Sequence, residues 1–397
     1  MGREPVRLAI ATWGISHFEV PMFRLLAESP NVDLHVFYLL DPGRNREYDP
    51  DYAQGIEWGE AMLTGFSSTL LEDPRMLRAT IRAWRPDAVM VYGYGWPGAL
   101  RMIAEFRARR IPLIFRGTLN TYVDPRRGVL SRLTRRVRPA VFHCFRTLHY
   151  GGTYSLRVLR SAGIPESRLF FVPYSVDTPY FAEKADSRGE GARKGFLQDR
   201  GWPADARVVL FIGQLSWFKG PDIAMEAFRL WSERDPRGRL VIVGSGAEAE
   251  SLRDAAATLP APDRVHFAGF CPSKQTTDYY LLSDVVLFTS RYETWARAVN
   301  EAMLCRRPCI VNIRIPASGG LVDDKLTGLV ITGDGPAEYC GALEHFFGLS
   351  PLERLQIGEA ARVRAMTFSY EAHLPELLDS TYAAAGRPLA GNAGRAG

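Results

Sequence analysis

The stretch Tyr292-Glu293-Thr294-Trp295-Ala296-Arg297-Ala298-Val299-Asn300-Glu301-Ala302-Met303 sets two glutamates with seven residues between them. The apolar runs on either side, Asp284 to Ser290 and Pro308 to Ile313, read as buried parallel strands. Ala298 to Leu304 is then a crossover helix, with Glu293 in the loop before it and Glu301 about two turns in. Such a loop, leaving the carboxyl end of a parallel strand and feeding a helix, offers free backbone N–H groups and a helix dipole to anions. A carboxylate placed there meets hydroxyls rather than phosphate. The pair therefore reads as sugar-binding acceptors beside a phosphate site, Glu293 for one sugar and Glu301 for a ribose. The plainer reading is a capping glutamate and a solvated one.

The chain of 397 residues is long enough for two or three domains. With 46% hydrophobic and 23% charged residues, it has the composition of a soluble globular protein. No apolar run approaches a membrane span, and Met1 to Pro5 leads directly into a strand, so a cytoplasmic protein is expected. Five cysteines without a CxxC pair argue against a disulfide framework or structural zinc. The net charge of +5 is unevenly spread: fourteen arginines lie between Arg101 and Arg160 against Glu105 and Asp124. The densest part, Arg126 to Arg138, suggests an anionic partner, either membrane phospholipid or nucleic acid. Sparse aromatics favour an anionic membrane over nucleic acid. The alternative is an ordinary solvated face.

Strand and helix patterns alternate from Val6 to Tyr174 and again from Val208 to Thr332, as in parallel, doubly wound sheets. A strand is expected toward Val141 to Leu148. Lys184 to Gly195, charged and glycine-rich, reads as a linker, Asp41 to Gln54 as a mobile loop, and the residues after Ala385 as a disordered tail. In the second half, the strand ending at Gly213 leads to Lys219, just before a helix opened by Gly220-Pro221. With only five lysines in the chain, a cation there reads as part of a pyrophosphate cradle. Gly244-Ser245-Gly246-Ala247-Glu248-Ala249 fits a dinucleotide-binding glycine pattern, but the next strand ends in Gly269-Phe270-Cys271-Pro272 and lacks the acid such a site needs.

Taken together, Gly213-x-Leu215-x-x-x-Lys219-Gly220, Val243-Gly244-x-Gly246, Phe267-x-Gly269-Phe270, Ser290-Arg291-Tyr292-Glu293, Glu301-Ala302-Met303 and Pro173-Tyr174-x-Val176-Asp177 resemble the retaining GT-B glycosyltransferases of family 4. The likeness spans nearly the whole chain. It implies an α/β protein with two Rossmann-like domains facing a central cleft: 1–180 for the acceptor and 196–366 for a nucleotide-sugar. A C-terminal helix in 367–385 would cross back to the first domain, ahead of the tail at 386–397. By position, Glu301 would hold the ribose, Lys219 the diphosphate, Glu293 the donor sugar, and Phe270 the neighbourhood of the base. Gly14, Gly213, Gln214, Gly244, Thr294, Trp295 and Ala296 would line the donor site, with Trp295 narrowing the sugar pocket.

Gln214 stands where the family often has arginine. His17-Phe18 stands near a common glycine pair, and the strand Phe115-Arg116-Gly117-Thr118 lacks a common histidine. Arg116 is therefore expected to act electrostatically at the cleft, with His17 as the nearby titratable candidate. The implied activity is metal-independent transfer of a sugar, with retention, from a nucleotide-diphosphate sugar to a sugar, lipid-linked or small-molecule acceptor. No cofactor is implied. The alternatives are a GT-B nucleotide-sugar epimerase and an inactive GT-B partner subunit.

Overall fold

The computed structural model describes residues 4–15, 18–39, 63–96, 98–120, 138–187, 191–272 and 275–387. The chain divides into two compact units. The first runs to Ser175 and resumes at Ser369, and the second holds Val176–Phe368. Among the described residues, the first unit has a parallel sheet of β1 (Val6–Trp13), β2 (Val32–Leu39), β3 (Ser67–Leu71), β4 (Ala88–Tyr92), β5 (Leu113–Arg116), β6 (Thr147–Tyr150) and β7 (Leu169–Phe171). Its order is β3-β2-β1-β4-β5-β6-β7. Leu8, Ala9, Ile10 and Ala11 are fully buried, which is why β1 reads as a continuous apolar run: helices cover both faces of the sheet.

The second unit's sheet contains β8 (Arg207–Ile212), β9 (Gly238–Val243), β10 (Val265–Gly269), β11 (Val285–Phe288), β12 (Cys309–Asn312) and β13 (Gly328–Ile331). They run parallel in the order β10-β9-β8-β11-β12-β13. Strand order reverses between β8 and β11, and the crevice at such a reversal is where open α/β sheets bind ligands. The Lys219 loop leaves β8 and the Glu293 loop leaves β11, so the topology alone makes them neighbours.

Several expectations are corrected. The region read as a strand from Val141 begins as helix at 138–143, and β6 starts only at Thr147. β3, with a half-exposed, polar-rich sequence, was not expected. The described part of the expected linker lies in the helices Thr178–Ser187 and Gly191–Asp199. Their anchors are sparse but definite. Phe181, Ala182 and Leu197 are buried, and Arg193 donates to the carbonyls of Leu282 and Ala206 (2.9 Å to the latter) and pairs with Asp284 at 3.0 Å. Asp41 to Gln54 and the tail beyond Arg387 lie outside the described residues.

The helix Tyr370–Ala385 packs on the first unit's sheet. Leu377 joins the core beside Met22, Phe23 and Leu26, and Tyr382 donates to the Asn31 carbonyl at 2.8 Å. His149 Nε2 lies 2.7 Å from Ser380 Oγ. Arg116, expected to act electrostatically at the cleft, is also held here and is fully buried. Its guanidinium donates to the Val172 carbonyl at 3.1 Å, pairs with Glu19 at 3.4 Å and lies 4.5 Å from the centre of the Tyr174 ring. Burial opposes the Arg116 charge, but Glu19, Tyr92, Tyr174 and Tyr370 more than offset that and keep it protonated. Tyr92 donates to the same Glu19 carboxylate oxygen at 2.9 Å.

Removing one partner of a buried ion pair strands the other charge. Glu19→Ala is accordingly expected to cost the first unit about 3–5 kcal/mol. Urea unfolding followed by Trp fluorescence measures this, and a loss below about 1 kcal/mol would show that the tyrosines and Val172 suffice for Arg116.

Candidate functional site

The site in the second unit begins with a close contact between two loops. Gly220, with φ 65°, caps the helix Pro221–Ser232, and a Cβ there would overlap the Thr289 carbonyl oxygen. The Thr289 hydroxyl donates to the Gly220 carbonyl at 2.7 Å, and the Arg291 amide to the Phe218 carbonyl at 2.9 Å. The Arg291 guanidinium completes the strap, bonding the Trp217 carbonyl at 3.0 Å and both Asp222 oxygens at 2.8 and 2.5 Å. Two loops of opposite sequence origin thus become one rigid wall.

That wall brings Lys219 Nζ against Glu293 Oε2. The other carboxylate oxygen accepts from the Thr294 amide at 3.0 Å. Burial would raise the Glu293 pKa, but the Lys219 charge and these hydrogen bonds outweigh it and hold the carboxyl below its ordinary value. Glu301 sits in the helix Arg297–Leu304, just over one turn from its start rather than two, and is 5% exposed. Its Oε2 accepts from the buried Tyr280 hydroxyl at 2.8 Å. It is a held, desolvated carboxylate, which excludes the plainer reading of a solvated helix position.

The remaining residues from the sequence reading divide into two groups. Phe270 is half-buried at the end of β10 and lines a groove of about 770 Å³ that also includes Cys271 and Tyr279. Gln214 is exposed beside Gly213, and Thr294 is exposed at the helix approach. The amides of Gly213 and Gly244 are used within the protein, by the carbonyls of Val243 (3.0 Å) and Gly269 (2.8 Å). Gly244 is needed for packing, because a Cβ there would collide with the Gly213 carbonyl.

Trp295, expected to narrow the sugar pocket, is held within the second unit. It is 5% exposed, stacks on Phe368 at 6.2 Å and donates to Asn300 Oδ1 at 3.2 Å. Ala296 follows in the left-handed region, φ 67°, and turns the chain into the helix. Gly14 ends β1 in the first unit, its amide on the Leu39 carbonyl at 3.1 Å, and His17 lies outside the described residues. Among the described residues no cluster of three or more His, Cys, Asp or Glu could hold a metal.

Sequence reasoning assigned no role to Arg291, Tyr280, Asn312 or Tyr339. The Tyr339 hydroxyl donates to the Phe288 carbonyl at 2.6 Å, and Asn312 Nδ2 to that of Ser290 at 3.1 Å, which fixes the exit of β11 toward Glu293. Polar residues inside an apolar pattern were the available signal.

Residues 193–364 match the family described as glycosyl transferases group 1. A D-inositol 3-phosphate glycosyltransferase from Acidothermus cellulolyticus is 34% identical over 53% of this chain and 46% of its own length. The chain spans about half the length of the curated relatives it matches. Two solved structures share the fold over most of the chain. Anabaena HepE in complex with UDP has a TM-score of 0.72 at 18% identity, covering 95% of this chain and 100% of that one. A sucrose-phosphate synthase from Thermosynechococcus elongatus has a TM-score of 0.71 at 16% identity, covering 96% and 100%. Residues 193–364 are thus similar to the glycosyl transferases group 1 family, and the chain shares with these solved structures a GT-B fold of two Rossmann-like units.

Proposed function

We propose that the protein transfers a sugar from a nucleotide-diphosphate sugar to a hydroxyl acceptor, with retention at the anomeric carbon and without a metal. The observation that carries this reading is the fixed pair Lys219–Glu293 on a wall of two strapped loops, together with the buried carboxylate of Glu301 on the helix that the Glu293 loop feeds. Glu301 offers charge-assisted acceptance to ribose hydroxyls, and the Tyr280 hydrogen bond orients it for that task. Lys219 stands before the N-terminus of the helix Pro221–Ser232, where cation and helix dipole act together on a leaving diphosphate. Glu293, kept ionised by Lys219, positions the donor sugar.

HepE was solved with UDP and also with UDP-glucose, so a uridine nucleotide is the first donor to try. The acceptor stays open as a sugar, a lipid-linked molecule or a small molecule. Peripheral contact with an anionic membrane belongs to the same proposal and rests on the sequence of Arg126 to Arg138, of which 126–137 lie outside the described residues. No described helix is long and apolar enough to cross a membrane.

Thermal stabilisation by UDP-sugars tests the donor assignment, since a ligand of the native state raises the melting temperature by mass action. No stabilisation by any nucleotide-sugar would favour an inactive partner subunit. Glu301→Ala is expected to weaken donor binding by about 1.5–3 kcal/mol in calorimetry, and unchanged affinity would remove the ribose role.

Glu293→Gln is expected to lower kcat more than donor affinity, and an equal loss in both would indicate uniform binding. The pH dependence follows from the depressed Glu293 pKa. The ion pair's contribution is complete above the ordinary carboxyl value of 4.5 and is lost only as pH falls through the lower folded-state value. The acid limb of kcat/KM is therefore expected below pH 4.5 wherever the protein stays folded, and Glu293→Gln is expected to abolish it.

For the membrane contact, substitution of Arg127, Arg132, Arg135 and Arg136 is expected to release the protein from acidic vesicles at low salt while donor binding is kept. Wild-type protein left in the supernatant at low salt would instead point to a soluble acceptor.

A further inference from the structure

A second basic feature lies in the first unit, at the amino-terminal ends of β5, β6 and β7. This is the opposite end of the sheet from Gly14, and a cavity of about 550 Å³ opens there. That volume falls in the range of roughly 300–1,000 Å³ typical of small-ligand sites. Arg107, Arg110, Arg146 and Arg168 line it with His143, and no carboxylate does.

Arg168 is the fixed member. Its guanidinium donates to the carbonyls of Phe145, Arg146 (3.2 Å) and His143 (3.5 Å) and is only partly exposed. Burial and the nearby Arg107 charge both disfavour its protonated form. Arg107, Arg110 and Arg146 are exposed, and no ion pair or side-chain hydrogen bond joins them to any described residue.

The neighbouring acids are already engaged: Glu105 by Arg78, Arg82 and Arg109, and Glu166 by Arg160. Among the described residues, four like charges therefore line one concavity whose walls include no carboxylate.

We infer that this cavity binds a phosphate-bearing anion through Arg107, Arg110, Arg146 and Arg168, as a site separate from the proposed donor site. A guanidinium fork matches phosphate oxygens in pairs, so a multiply charged phosphate satisfies several of these donors and relieves their mutual repulsion. The bearer is either a soluble phosphate compound or a lipid headgroup, which share this chemistry.

The test compares the full chain with the triple variant Arg107→Gln/Arg110→Gln/Arg146→Gln, whose sites are exposed. Equal melting temperatures in chloride buffer establish that the variant folds. Inorganic pyrophosphate is then titrated at matched ionic strength, and binding to phosphatidylglycerol vesicles is measured against phosphatidylcholine controls. A UDP titration alongside reports on the donor site, where both proteins should respond alike. At least a tenfold weakening of the variant's pyrophosphate response supports a soluble phosphate ligand. Weakened phosphatidylglycerol binding with an unchanged pyrophosphate response supports a headgroup. Identical behaviour of the two proteins in both arms overturns the inference, whatever UDP does.

Discussion

The site depends on one close approach, the contact of Gly220 with the Thr289 carbonyl. Only a residue without a Cβ lets the loop after β8 lie against the loop after β11, and the Thr289 hydroxyl and Arg291 guanidinium then lock the contact. Without it, Lys219 and Glu293, 74 residues apart in sequence, would be two solvated charges of little energetic consequence. With it they become a partly desolvated pair in which the Lys219 charge helps to hold the Glu293 carboxyl below its ordinary value. The second glycine pattern serves the same end, since Gly244 lets the loop after β9 lie against the loop after β8.

Much of this arrangement was legible in the sequence because parallel strands buried on both faces leave unbroken apolar runs. All six strands of the second unit were anticipated that way, and the residues at their carboxyl ends followed from topology. Spacing also singled out Glu301, though not its Tyr280 partner. A hydrogen bond between two residues 21 positions apart, on separate helices, leaves no periodic trace.

Elsewhere the chain follows physics that a one-dimensional pattern does not carry. Arg116 at the end of a strand looked like a charge available to a ligand, but the fold surrounds it with Glu19 and three tyrosines drawn from four separate segments. Trp295, read as narrowing a sugar pocket, is stacked on Phe368, a partner 73 residues away that no local pattern announces. The helices at 178–187 and 191–199 were hidden because a few buried side chains and one arginine, rather than an amphipathic repeat, fasten them. In each case a tertiary partner distant in sequence decided the outcome.

The C-terminal helix has a consequence for the order of assembly. Thr147 and His149 reach Ser380 across more than 230 residues, and Leu377 and Tyr370 belong to the core that β1 and β4 begin. On the ribosome, the first unit is thus synthesised early but stays open on one face, with Arg116 and apolar side chains awaiting cover, until the whole second unit has emerged. Domains usually fold in the order they are made. Here the later-synthesised unit, whose core side chains from Val209 to Phe347 all lie within Val176–Phe368, is the one able to complete its core first, and the exposed face of its predecessor is a natural station for a chaperone.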